Sequence, residues 1–224
     1  MEYTVIRSKR KTIAIHITRD AAVEVRVPLK LAQSEIERFV QLKKDWIAKH
    51  LAVISERANE RAAFVLNYGD KVFVMGKPCV IVAYDGKRAK YADGCFYMPK
   101  SLDSNQIKAA CVRLYKLIAK DGLVRRTMDY ASCMGIESSA VKINSATTRW
   151  GSCSGRDNIN FSWRLIMAAD DVIDYVVVHE LAHIVEHNHS DRFWAVVQSV
   201  LPDYKTRQKR LKALQAVLAK EDWS

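Results

Sequence analysis

Eleven residues near the C-terminal end constrain this chain more than any others: His179-Glu180-Leu181-Ala182-His183 followed by Ile184-Val185-Glu186-His187-Asn188-His189. Four of the 6 histidines fall inside them. A helix brings positions i and i+4 onto one face, so His179 and His183 can aim two imidazoles at one point. Glu180 is then turned slightly aside, within reach of a water held at that point. Neutral nitrogen ligands, an open coordination position and a carboxylate that takes a proton are what a hydrolytic zinc site requires.

A third ligand is needed. His187 continues the stripe, but it lies about 12 Å along the axis from His179 at 1.5 Å per residue. One ion with bonds of about 2 Å does not reach both ends, so His187 is read as a rim residue. The helix must break, and Asn188, which tolerates the left-handed conformation, is the expected breaking point. His189 then swings back under the ion. The expected set is His179, His183 and His189 as ligands, with Glu180 as general base. The bland alternative is a helix whose histidines are ordinary core or surface groups. Val176, Val177, Val178, Leu181, Ile184 and Val185 argue against it, because an apolar setting makes unpartnered polar groups costly.

The upstream chain reads as scaffold. Ile13, Ile15 and Ile17, then Val23, Val25 and Val27, alternate as two strands joined at Asp20-Ala21-Ala22. The basic run Arg7-Ser8-Lys9-Arg10-Lys11 reads as a solvated strand edge. Ser34 and Glu37 form a capping-box pattern, and apolar spacing from Ile36 to Ile54 predicts one helix over about 34–60. Three or four antiparallel strands are expected between Asn67 and Pro99. A helical stripe from Ile107 to Ala131 follows, interruptible at Gly122 and stopped at Gly135. Val141 to Ala146 and Ile159 to Trp163 read as the arms of a hairpin, with Thr148-Arg149-Trp150-Gly151-Ser152-Cys153-Ser154-Gly155 between them. Such an edge can hold an extended substrate by added-strand pairing. Arg149 and Trp150 are candidate substrate contacts there, while Trp163 reads as core. Ser190 or Asp191 caps a short helix carrying Phe193 and Trp194. A basic helix runs from Tyr204 to about Lys220, and Tyr204 is a candidate oxyanion contact or a packing residue.

These patterns give an α+β chain in two parts: a β-rich region with one long helix over 1–100, and a metal-binding catalytic region over 101–224. Five dispersed cysteines without a CxxC pair suit reduced thiols, and the N-terminus meets charge at once, so a cytoplasmic protein without membrane segments is expected. The net charge of +11, from 36 Lys and Arg against 25 Asp and Glu, allows contact with nucleic acid or nucleotide phosphate.

The segments TRWGSCS, INFSWRLIMA and VIDYVVVHELAHIVEHNHSDRFW, between Thr148 and Trp194, resemble the YgjP-like metallopeptidases, relatives of the SprT and WLM zincins. The likeness runs the whole length, including RSKRKTIAI near the N-terminus, and is specific in the C-terminal half. It implies a zincin-like α+β fold, zinc on His179, His183 and His189, and Glu180 as the catalytic carboxylate. It also implies a peptide or protein substrate, and the SprT likeness suggests proteins bound to DNA. The chain departs from its relatives in places. Glu186 stands where metzincins carry glycine, and the lysine usual near Thr148 and the proline usual near Ala169 are absent. Two other functions fit the residues: a metal-dependent nucleoside-triphosphate pyrophosphohydrolase using Arg149 on phosphate, or a non-catalytic polyanion-binding zinc protein.

Overall fold

A computed structural model describes residues 1–223. The chain divides into two compact units: Met1–Phe64 with Val217–Asp222, and Val65–Ala216 with Trp223. The expected division near residue 100 followed the change from strand to helix patterning; the compact units divide after Phe64.

In the first unit, β1 (Thr4–Ser8), β2 (Ala14–Ile17) and β3 (Val23–Pro28) form a sheet ordered β1-β3-β2. Strand β3 pairs antiparallel with β2 across the expected turn and parallel with β1. Its alternation buries Val23, Val25 and Val27 against Ile36, Val40 and Ile47. The last three come from α1 (Gln33–Leu42) and α2 (Lys44–Ala63). The single helix expected over 34–60 is thus two, broken at Lys43, whose N–H is shared between the Phe39 and Val40 carbonyls as the turn tightens. The capping box at Ser34 does not form. Ala32 is the N-cap, which puts Ser34 inside the first turn. In the basic run, Arg7 donates to the carbonyls of Leu29 (3.1 Å) and Leu31 (2.8 Å), a structural use of its charge.

The second unit opens with β4 (Lys71–Val74), β5 (Lys77–Tyr84), β6 (Lys90–Ala92) and β7 (Cys95–Pro99), ordered β4-β5-β7-β6. The expectation of a wholly antiparallel set is corrected here, because β5 and β7 run parallel. Helix α3 (Ser104–Met134) follows without interruption. Gly122 lies in its buried face, where an added Cβ would stand 3.2 Å from Met75. Gly135, at φ 65°, ends the helix in the left-handed conformation. Next come β8 (Ala140–Asn144), β9 (Gly151–Cys153) and β10 (Asn158–Ser162), in the order β8-β10-β9. The simple hairpin expected of β8 and β10 is replaced by parallel pairing, since the intervening segment is itself a strand, antiparallel to β10 and left at the edge. A 3-10 turn (Trp163–Met167) leads into α4 (Asp170–Val185), α5 (Asp191–Val200) and α6 (Tyr204–Leu218). No helix among the described residues is long and apolar enough to cross a membrane.

Helix α4 is rich in valine, a residue with modest helix propensity, and tertiary burial decides its conformation. Val172, Ile173, Val176, Val177, Val178, Leu181 and Ala182 are all buried, so the helix is enclosed on several sides. Asp170 and Asp171 in its first turn complement the helix dipole. Arg126 of α3 donates to Asp170 and Asp174, both at 2.6 Å, fixing the N-terminal half against α3. Arg207 of α6 donates to the Asp171 carbonyl at 3.0 Å. The turn between β4 and β5 abuts the start of α4, where Gly76 has φ +73° and an added Cβ would meet the Ala169 backbone at 2.8 Å.

Gly76→Ala therefore faces both backbone strain and a backbone clash. The strain alone costs about 1–3 kcal/mol, so the urea midpoint should fall clearly while the unfolding slope stays the same.

Candidate metal centre

His179 and His183 emerge on one face of α4, one turn apart, and His189 returns to them from the segment after the helix. One ring nitrogen from each lies within 4.8 Å of the other two. His179 Nε2 and His189 Nε2 are 3.1 Å apart. Two nitrogens bound to one tetrahedral ion at about 2.0–2.1 Å would stand roughly 3.3 Å apart, so this spacing suits a shared cation. His183 Nδ1 donates to the Glu186 carbonyl at 3.3 Å, which leaves the lone pair on Nε2. Burial pushes the His179 pKa down to about 3, with the neighbouring His183 and His189 adding to the fall. Burial, then His189, also lowers that of His183. These two rings are held neutral, the form that ligates a metal.

The helix ends earlier than expected. Glu186, at φ −141° and ψ 108°, is the C-cap, and Asn188 is not in the left-handed region. An extended residue makes the break, and its carbonyl receives His183. The Ser190 hydroxyl accepts the Phe193 N–H at 3.3 Å and starts α5 directly after His189.

Glu180 is only 6% exposed. Its carboxylate accepts a hydrogen bond from the Cys153 backbone N–H of β9 and feels the charge of Arg149. Burial outweighs both and raises its pKa to about 7. Gly151 makes this packing possible: an added Cβ would lie 2.5 Å from Glu180 Oε1 and 2.7 Å from its Cδ. Gly151–Gly155, Glu180 and the four histidines of the segment line a cleft of about 520 Å³ along the free edge of β9. That volume is in the range of small-ligand and substrate pockets.

The remaining sequence candidates separate. His187 is exposed on the cleft wall, outside the triad. Arg149 is exposed and acts on Glu180 through its charge. Trp150 contributes its carbonyl to the Ser162 N–H at 2.8 Å, fixing the entry to β9. Tyr204 is buried, with its ring stacked on Trp194 at 5.2 Å, and Trp194 in turn stacks on His189 at 5.7 Å. The indole therefore lies between the phenol ring and the triad. Trp163 is core, as expected.

Sequence reasoning did not single out Gly151, the Cys153 N–H, Tyr175 or the aromatic floor formed by Phe193. Tyr175, one turn before His179 and edge-on to it at 5.8 Å, was legible from the i−4 spacing. The other three depend on contacts between different segments of the chain.

The fold and site define an α+β protein carrying a three-imidazole centre beside a buried carboxylate. Residues 11–214 match the family described as YgjP-like, metallopeptidase domain, and the chain belongs to that family. Membership carries a hydrolase of the metallopeptidase class and implies a divalent metal, which the imidazole triad fits. Two solved structures are similar over part of the chain. The crystal structure of the metallopeptidase zymogen of Pyrococcus abyssi abylysin shares 21% identity at a TM-score of 0.38, covering 41% of this chain and 92% of that one. That of Methanocaldococcus jannaschii jannalysin shares 18% identity at a TM-score of 0.37, covering 42% and 96%. No curated protein matches the chain.

Gly151→Ala should displace the Glu180 carboxylate while leaving the histidines in place. A misplacement of about 1 Å can cost on the order of a hundredfold in rate. A loss of that size in kcat, with metal affinity held near wild type, is the expected result of paired kinetic and metal-titration measurements.

Proposed function

We propose that the protein is a zinc-dependent metallopeptidase in which His179, His183 and His189 hold the ion and Glu180 is the general base. The observation that carries this reading is the convergence of three imidazoles beside a buried carboxylate, on one wall of a cleft with a free strand edge. All four residues lie within 101–224, the span expected to be catalytic. A bound zinc ion supplies Lewis acidity, polarising the scissile carbonyl and lowering the pKa of a coordinated water towards about 7.

The chain's own groups do the rest. An extended peptide adds to the free edge of β9, main chain against main chain, which brings a carbonyl to the triad. Glu180 takes a proton from the attacking water and passes it to the leaving amine nitrogen. A carboxyl with a pKa near 7 is only half ionised at neutral pH. The adjacent divalent charge, together with Arg149 and the Cys153 N–H, favours the carboxylate that a base must be. Membership in a metallopeptidase family favours a peptide bond over a phosphoanhydride, even though the charge of Arg149 reaches Glu180. Unstructured protein is the substrate class to offer first, with DNA-bound protein second in view of the net charge of +11.

Glu180→Gln keeps the shape and removes the base. Turnover of casein-like substrate should fall by at least about a hundredfold, the lower end for losing a general base, with one zinc still bound per chain. A variant as active as wild type would remove Glu180 from the role.

A further inference from the structure

His189 is the weak member of the triad by its setting. It sits in an exposed, irregular segment, whereas His179 and His183 are carried by a buried helix. Metal-binding histidines ordinarily donate their second nitrogen to a carboxylate, a carbonyl or water, and that bond fixes the ring. Within the triad, His183 does so, to the Glu186 carbonyl. His179 Nδ1 is buried without a hydrogen-bond partner. The hydrogen-bond-range contact of the His189 ring is with His179 Nε2, on the side that would face a shared ion.

Aromatic packing surrounds the three rings, and among the described residues no protein group within hydrogen-bond range fixes His189 from its outer side. Phe193, fully buried, lies beneath all three imidazoles, with centroids 4.9 Å from His179, 4.5 Å from His183 and 4.8 Å from His189. Trp194 closes the outer side. Its ring stacks on His189 at 5.7 Å and 27°, and Tyr204 backs it at 5.2 Å and 15°. Offset stacking at these separations is attractive and directional, so it resists rotation of a ring out of plane. Helix α5, capped at Ser190 immediately after the ligand, delivers Phe193 and Trp194 to their places.

We propose that Trp194 is a positioning residue for the metal centre, holding His189 in its ligating orientation through the His189–Trp194–Tyr204 stack. The inference rests on the metal reading above. It adds that a ring stack orients the third ligand. Removing the stack while filling the space should loosen the ligand without disturbing the helix. Replacing one flat ring by another should preserve it.

The test uses metal-free full-length protein titrated with Zn2+ against a chromophoric chelator, and with Co2+ followed by visible absorption. Four forms are compared: wild type, His189→Ala, Trp194→Leu and Trp194→Phe. Trp194→Leu should bind Zn2+ about tenfold more weakly, the lower end for losing a ligand's outer support, and give weaker Co2+ bands. Trp194→Phe should stay near wild type in both. Binding by Trp194→Leu equal to wild type, or Trp194→Phe as weak as Trp194→Leu, would overturn the proposal. Should Trp194→Leu fail to fold, Tyr204→Leu removes the outer ring instead. Weaker binding then supports the stack, and unchanged binding overturns it. A His189→Ala protein that binds like wild type would remove the metal reading itself, a result distinct from failure of the stack alone.

Discussion

The rest of the site depends on one constraint: α4 is buried on several sides, yet it must carry two imidazoles and a carboxylate. Burial of polar groups is tolerated only where each finds compensation. Glu180 finds part of it in the Cys153 N–H and the charge of Arg149, an approach for which Gly151 leaves room, although burial outweighs both. His183 finds it in the carbonyl of the residue that ends the helix. His179 remains neutral, with one nitrogen orphaned and the other facing His189. The polar groups left over all converge on one small volume, which is the reason a cation fits there.

That constraint also explains the scaffold. A helix of β-branched residues holds its shape through what surrounds it, and α3, α6 and the β4–β5 turn supply the surroundings. The ion pairs from Arg126 to Asp170 and Asp174 are partly shielded and short, and the Arg207 contact to the Asp171 carbonyl adds a tie from a third helix. Strand β9 is pinned from two directions, by β10 through the sheet and by Glu180 through its carboxylate. The cleft wall and the histidine-bearing helix thus meet at Glu180.

Local patterns in the sequence reveal a good part of this, and they fail where distant contacts decide. The i, i+4 spacing puts His179 and His183 on one face because a helix fixes that geometry by itself. The stop at Gly135 was readable for a similar reason, since the left-handed residue is chosen locally. The end of α4 was not readable. Asn188 is the better residue by propensity, yet Glu186 makes the break, because its carbonyl is held by His183 and the next helix must start at Ser190. Strand direction was hidden too. Nothing in the alternation of β8 and β10 distinguishes an antiparallel hairpin from a parallel pair with a third strand between. Gly151 stood in plain view within TRWGSCS, but its purpose appears only when Glu180 is brought against it from another segment. Tyr204 shows the reverse case: a phenol near the site in sequence terms proves to be separated from His189 by an indole.

The proposed centre is a single ion shared by three imidazoles, two from one helix and one from the segment that follows. Zinc K-edge X-ray absorption on the protein loaded with one equivalent of Zn2+ tests this most directly. The account predicts three imidazole nitrogens and a light fourth scatterer at about 2.0–2.1 Å. A sulfur shell at about 2.3 Å, or fewer than three imidazoles in the multiple-scattering pattern, would contradict it.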